Sequence, residues 1–222
     1  INVPVQFCAE LKSKNDINIH QLNGFWVGNE IILHRDTLYV EKSSEVCIYV
    51  NITEISHEMI SARMPYKNER EAVTQLSSRG LNNYRHLLLE WTELNQKFEY
   101  ILQYNSSRPG FWMSSLQKQS THLNREQTNF PIFIGTIQVL DSGTNHLLLT
   151  FCETAPHHQL YSIILTRQMA RLTHDMHHQL RLTLRSNGLP TISERKVTIL
   201  HGQLTSLNFL KPINLNLSSI IV

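Results

Sequence analysis

The chain has 222 residues, is 41% hydrophobic and 17% charged, and carries a formal net charge of +2. That is enough apolar matter for a buried core and too much for a disordered chain. Lys and Arg are dispersed and no RNA-binding or zinc-finger motif occurs, which argues against a nucleic-acid partner; no run of about 18 apolar residues is present, which argues against a membrane-spanning helix.

Residues 1–21 read as a polar arm with scattered apolar side chains. Strand-like runs follow at Gly24–His34, Glu45–Ile55, Glu58–Met64, Arg85–Thr92, Lys97–Tyr104, Phe133–Leu140, His146–Cys152 and Leu160–Arg167. Several alternate with a period of two. Turn formers such as Lys67-Asn68 and Asp141-Ser142-Gly143 separate many of them. Residues 65–84 and 105–130 are polar and long for loops, and the second contains Gly110-Phe111-Trp112, a short strand or a lid. Leu172, Met176, Leu180 and Leu184 then make one apolar stripe, with Thr173 as N-cap and Asn187-Gly188 as stop, which predicts a helix over 172–187. Lys196–Leu200 reads as one more strand, and the apolar, Asn-rich tail 204–222 as poorly ordered. The pattern predicts one all-β domain: an eight-stranded antiparallel up-and-down barrel over 24–167, with the helix packed outside. Closure removes both sheet edges, and a barrel of this size can hold one small ligand.

Gly24-Phe25-Trp26 puts the smallest side chain two places from the largest. Glycine weakens a strand unless a bend or a close approach is wanted. A buried tryptophan needs a partner for its N–H. The pair predicts a strand that curves and plugs one end of the barrel; the plainer reading is a core tryptophan.

Strand parity orients the remaining side chains. If Asn51 carries a glycan it points outward, so Cys47 and Tyr49 share the outer face and Ile48, Val50 and Ile52 point inward. An outward Asn105 likewise sends Phe98, Tyr100, Leu102 and Tyr104 inward, and Leu87, Leu89 and Trp91 form a similar row. The candidate ligand-lining residues are Ile48, Val50, Leu87, Leu89, Trp91, Phe98, Tyr100, Leu102, Tyr104, Phe133, Phe151, Tyr161 and Ile163. An aliphatic and aromatic interior with a few phenols suits a sterol, retinoid, fatty acid or small odorant. The rival is a core filled by these rows.

The 12 histidines include His174, His177 and His178 on the helix, and the pair His157-His158. No His-Glu-x-x-His arrangement stands among them, so no metal site and no cofactor are expected, and the helix histidines read as a solvated face. Gly-x-Ser-x-Gly, P-loop and dinucleotide-binding patterns are absent, and the chain reads as no enzyme. A Cys47 nucleophile is the rival, but strand parity turns it away from the interior.

Three sequons occur, at Asn51, Asn105 and Asn216, with 3 cysteines and a first residue that is not Met. Together these favour a secreted, extracellular glycoprotein with its signal peptide removed. The rival is a cytosolic chain with accidental sequons. Three cysteines leave one odd after a bridge forms.

Gly24-Phe25-Trp26 on the first strand, Arg167 at the end of the last barrel strand, a helix and a short strand resemble the lipocalin family. Cys47-Ile48-Tyr49-Val50-Asn51, Leu148-Leu149-Thr150-Phe151-Cys152 and Tyr161 to Arg167 are most similar to the apolipoprotein D and insect lazarillo group, over roughly residues 5–200. The resemblance implies that Trp26 packs at the closed end beneath Arg167, with Gly24 allowing the bend, and that Cys8 bonds to Cys152. The sequence departs from the group in lacking the tyrosine of its Thr-Asp-Tyr turn and a C-terminal partner for Cys47. Cys47 is then a free thiol, or pairs with another chain or with something outside this sequence. The implied function is a secreted carrier that binds a small hydrophobic ligand in the barrel. The alternative is a protein-interaction module with a filled barrel, binding a receptor or partner through 65–84 and 105–130. A dimer partner is left open.

Overall fold

The computed structural model describes residues 11–35, 47–63, 83–93, 96–114, 133–155, 158–167 and 172–196. Cys8, Asn216, His157, the tail 204–222 and most of the two long polar stretches lie outside them. Eight strands form the barrel: β1 Gly24–Leu33, β2 Ile48–Ile55, β3 Tyr84–Glu93, β4 Gln96–Asn105, β5 Arg108–Ser114, β6 Ile134–Ser142, β7 His146–Ala155 and β8 Leu160–Thr166. Each pairs antiparallel with the next, and β1 pairs with both β8 and β2, which closes the ring. β9, Ser193–Lys196, pairs with Glu30–Leu33 of β1. Among the described residues three helices accompany the strands: α1 Ile19–Leu22, α2 His57–Arg63 and α3 His174–Ser186. No described helix is long and apolar enough to cross a membrane.

Two elements differ from the sequence reading. The run Glu58–Met64, expected as a strand, is helical through Arg63 as α2. Ser56 caps it, its hydroxyl accepting from Met59 N–H at 3.4 Å, with Glu58 in the first turn. The eighth strand is instead β5, which lies in the long polar stretch and takes in Gly110-Phe111-Trp112, the segment read as a short strand or a lid. Pro109 and Gly110 obscured it. Pro109 sits next to the start of the strand, where a missing N–H matters least. Gly110 is required because a Cβ there would run into the Lys14 carbonyl of the crossing N-terminal arm. The last described strand is Ser193–Lys196; of the strand expected at Lys196–Leu200, all but Lys196 lies outside the described residues.

The core is layered. The inner cluster fills the barrel with the inward rows of all eight strands, and Ile19 and Leu22 of α1 cap its lower end. An outer cluster joins Ile32, Leu140, Leu148, Leu160 and Ile164 to Leu180, Leu184 and Leu189, with Leu172 and Met176 packed against them. The predicted stripe is thus the face that α3 lays on the barrel. Thr173 caps α3, accepting from Met176 N–H at 3.2 Å, and Gly188 stops it at φ +70°. A third cluster of Ile55, Ile60, Leu88 and Ile101 seats α2 on the outside of β2, β3 and β4.

β1 serves two layers because of a bulge. Its register with β8 shifts between Gly28 and Glu30. Asn29 is the extra residue, and its amide donates to Thr166 Oγ1 at 2.7 Å. One added residue exchanges the faces of everything beyond it. Trp26 therefore points into the barrel, as do Ile31 and Leu33, while Glu30, Ile32 and His34 face α3.

Two histidines are sealed into the outer layers. His34 lies between the Pro190 carbonyl at 2.6 Å and Ser162 Oγ at 2.7 Å, and Ser162 continues to Thr150 Oγ1 at 2.7 Å. Burial lowers its pKa, against the Pro190 bond. His86, edge-on to His57 at 4.8 Å, is lowered to about 4, by burial and then by His57. The folded state therefore binds these protons less readily than the unfolded chain. Their contribution is complete above the unfolded value of 6.5 and is lost as pH falls toward 4. Thermal melts should show the protein losing about 2 kcal/mol between pH 7.5 and 4.5, and His86→Phe should flatten that dependence. An unchanged melting temperature across this window would contradict the assignment.

Candidate functional site

The two ends of the barrel differ. At the closed end Trp26 is fully buried and its Nε1–H donates to the Leu22 carbonyl at 2.8 Å. The Arg167 guanidinium lies over its ring at 3.7 Å from the centroid. It also donates to the carbonyls of Phe25 (2.9 Å), Gln21 (2.7 Å) and Asn23 (2.8 Å). Burial lowers the Arg167 pKa, yet a guanidinium stays charged. Gly24 sits at φ +97°, where side chains are rarely tolerated, and a Cβ there would meet Arg167 Nη1 at 3.3 Å. Beside this floor Tyr104 donates to Glu54 Oε1 at 2.8 Å, and Arg85 Nη1 donates to the same oxygen at 3.2 Å. Burial alone would raise Glu54, but the Tyr104 bond and Arg85 outweigh it and the net shift is downward.

The residues expected to line a ligand are all in or packed against the inner cluster. They divide into two levels. Ile48, Val50, Leu87, Leu89, Leu102, Phe151 and Ile163 are 0% exposed, and Tyr104 is almost as deep. A side chain with no accessible surface has no gap of water size beside it, so this part of the interior is filled by the protein itself. Above it the rings gather: Trp91 meets Phe151 edge-on at 5.6 Å, Tyr100 meets Phe133 at 5.6 Å, and Phe151 stacks on Tyr161 at 4.8 Å. Here Phe98, Tyr100, Phe133 and Tyr161 are only partly buried, as is Leu33. They form an aromatic cup toward the other end of the barrel, with Trp91 and Phe151 beneath it.

Two residues outside the sequence-based set belong to the cup. Glu93 follows Trp91 by two on β3, and Glu153 follows Phe151 by two on β7, so each continues an inward row. Both are half-buried. Trp91 Nε1–H donates to Glu93 Oε2 at 3.0 Å, and Gln159 N–H to Glu153 Oε2 at 3.3 Å. Burial, then Glu153 and Glu93, raise the Tyr100 phenol well above its ordinary range. Tyr161 is raised by burial, Tyr100 and the same two carboxylates. Period two, carried one step past the aromatic residue in each row, would have found both acids.

The other predicted positions lie outside the cup. Asn51 is on the outer face and donates to Glu90 Oε2 at 2.7 Å. Asn105 closes the β4–β5 turn, its Oδ1 accepting from Ser107 N–H at 2.9 Å and Oγ–H at 2.8 Å. Cys47 is a half-buried thiol. Cys152 is disulfide-bonded and packs in the outer cluster beside Leu11; its expected partner Cys8 lies outside the described residues. Among the described residues no group of three or more His, Cys, Asp or Glu could hold a metal ion. His177 departs from the solvated face expected of it: its Nε2 bonds buried Glu30 at 2.8 Å, beside Arg181 at 2.8 Å.

The closed antiparallel barrel with its C-terminal helix is consistent with a lipocalin-like fold. No family model matches the chain, and no curated protein matches it.

Proposed function

We propose that the protein is a secreted lipocalin, related to the apolipoprotein D and lazarillo group, that carries a small hydrophobic molecule in the open half of its barrel and does no chemistry on it. The observation that carries this reading is the change of packing along one lumen: aliphatic rows with no accessible surface below, and rings that keep accessible surface above. Apolar rings around two deep phenols match the composition of small-molecule sites. The filled lower half limits the ligand to something the cup can enclose. For about ten non-hydrogen atoms, roughly −0.6 kcal/mol per atom corresponds to a Kd on the order of tens of micromolar.

Among the described residues the nearest approach to a catalytic arrangement is His34 with Ser162. Both are sealed beneath α3, with Ser162 at 0% exposure, so the hydroxyl reaches no substrate. That burial supports the non-enzyme reading for this pair.

Trp91 floors the cup and reports on it. Titration with a panel of small aromatic and terpenoid compounds should quench tryptophan fluorescence in the micromolar range. Tyr100→Ala or Phe98→Ala should weaken that response about tenfold, the loss expected when one ring leaves an apolar site. A panel without any quenching up to millimolar concentration would end the carrier reading. The same filled lower barrel favours the second reading, a module that binds a protein partner; under it a receptor would be captured with the cup mutated.

A further inference from the structure

We propose that the cup takes a neutral ligand whose apolar body carries a carbonyl oxygen, and that Tyr100 and Tyr161 donate to that oxygen from opposite walls. This rests on the reading of the cup as a ligand site and names the chemistry of its occupant.

Tyr100 lies on β4 and Tyr161 on β8, four strands apart in the eight-strand ring, so their inward rows face each other across the lumen. Phe151 touches both rings: it stacks on Tyr161 at 4.8 Å and meets Tyr100 edge-on at 6.4 Å. Phe133 holds Tyr100 from a second side at 5.6 Å. These contacts fix the two rings before any ligand arrives, which is the preorganisation a selective site needs. Tyr161 feels the charge that Tyr100 would carry, so the two hydroxyls border one volume. Other polar groups of the cup are engaged within the fold: the Trp91 indole donates to Glu93 at 3.0 Å, and Glu153 accepts from the Gln159 amide at 3.3 Å. The phenols differ from them. Among the described residues neither phenol hydroxyl has a hydrogen-bond partner, although burial is the largest influence on both. Burial also keeps both protonated at neutral pH, so each stands as an O–H donor.

Ligand classes then separate by what they offer two donors. A hydrocarbon takes water from both hydroxyls and returns nothing, which is the costly case for a buried polar group. A carboxylate accepts, but it exchanges its hydration for two neutral donors among rings, too little for an ion. An ammonium group has no lone pair to give. An alcohol accepts, yet brings a hydrogen that needs an acceptor of its own. A carbonyl oxygen has two lone pairs and no hydrogen, so one atom serves both phenols. The apolar body then lies on Phe98 and Phe133.

The test is calorimetric titration of the full chain at pH 7 with three probes of nearly one shape: acetophenone, isopropylbenzene and benzoate. Benzoate should bind most weakly. Tyr100→Phe and Tyr161→Phe keep the ring and remove only the hydroxyl. Each should lower acetophenone affinity about fivefold, the loss of one neutral hydrogen bond, and leave isopropylbenzene affinity equal or higher. Acetophenone binding that both variants retain in full would overturn the proposal and leave the carrier reading standing. So would an equal loss for ketone and hydrocarbon, which would place the effect in packing, or benzoate binding as tight as that of acetophenone. Failure of acetophenone to bind while the wider panel still quenches fluorescence would overturn it too. Should no probe bind and the panel quench nothing, the carrier reading falls with it.

Discussion

Replacing Glu30 by alanine is expected to destabilise the fold by about 4 kcal/mol, read as a lower urea midpoint at unchanged slope. Glu30 is 4% exposed, on the outer face of β1 beneath α3. Its two oxygens are taken one each by His177 Nε2 and Arg181 Nη2, both at 2.8 Å. Removing the carboxylate takes from the half-buried Arg181 guanidinium the countercharge that stood at 2.8 Å, and that uncompensated desolvation is the larger part of the loss. The pair itself contributes far less, since replacing all its members by apolar groups of similar volume is often neutral. The triple change Glu30→Leu, His177→Leu and Arg181→Met should therefore recover most of what Glu30→Ala loses. Equal instability of the single and triple variants would place the cost in packing and not in the stranded charge.

Arg167→Ala should cost about 3 kcal/mol and shift tryptophan emission to the red. The guanidinium does two things at once at the floor. It stacks on the Trp26 ring, and it donates to three carbonyls of the segment that connects α1 to β1. An alanine loses the stacking and returns those carbonyls to water through an opened floor. Arg167→Lys should restore less than half of the stability, because an ammonium offers neither the plane nor the fork. A lysine variant as stable as the native protein would show that charge alone matters there. Ligand affinity in the cup should change little, since the packed aliphatic rows separate the two ends.

Much of this architecture was legible where chemistry and period agreed. The apolar rows of β3, β4 and β7 run without interruption, so parity assigned their faces correctly. The stripe from Leu172 to Leu184, with its cap and stop, marked α3. Legibility failed where a local signal was outvoted by a distant contact. Pro109-Gly110 reads as a breaker, and only the passage of Lys14 across it explains the glycine. Glu58–Met64 passes for a strand unless Ser56 is weighed as a cap. The bulge after Gly28 has no period of its own, so the roles of Glu30 and His34 could not be inferred from the sequence. In the cup, the apolar rows end at Trp91 and Phe151, and a search for apolar residues alone stops short of Glu93 and Glu153. A charge in an inward row is the more informative observation there.

The extra residue in β1 also bears on how the molecule comes apart. Upstream of Asn29 the strand anchors the floor; downstream it receives the C-terminal helix and β9. The floor beside α1 and the last described strand, β9, thus share one ten-residue segment. Opening of the base and release of the helix should consequently surface as one event in amide exchange, rather than as two separable ones.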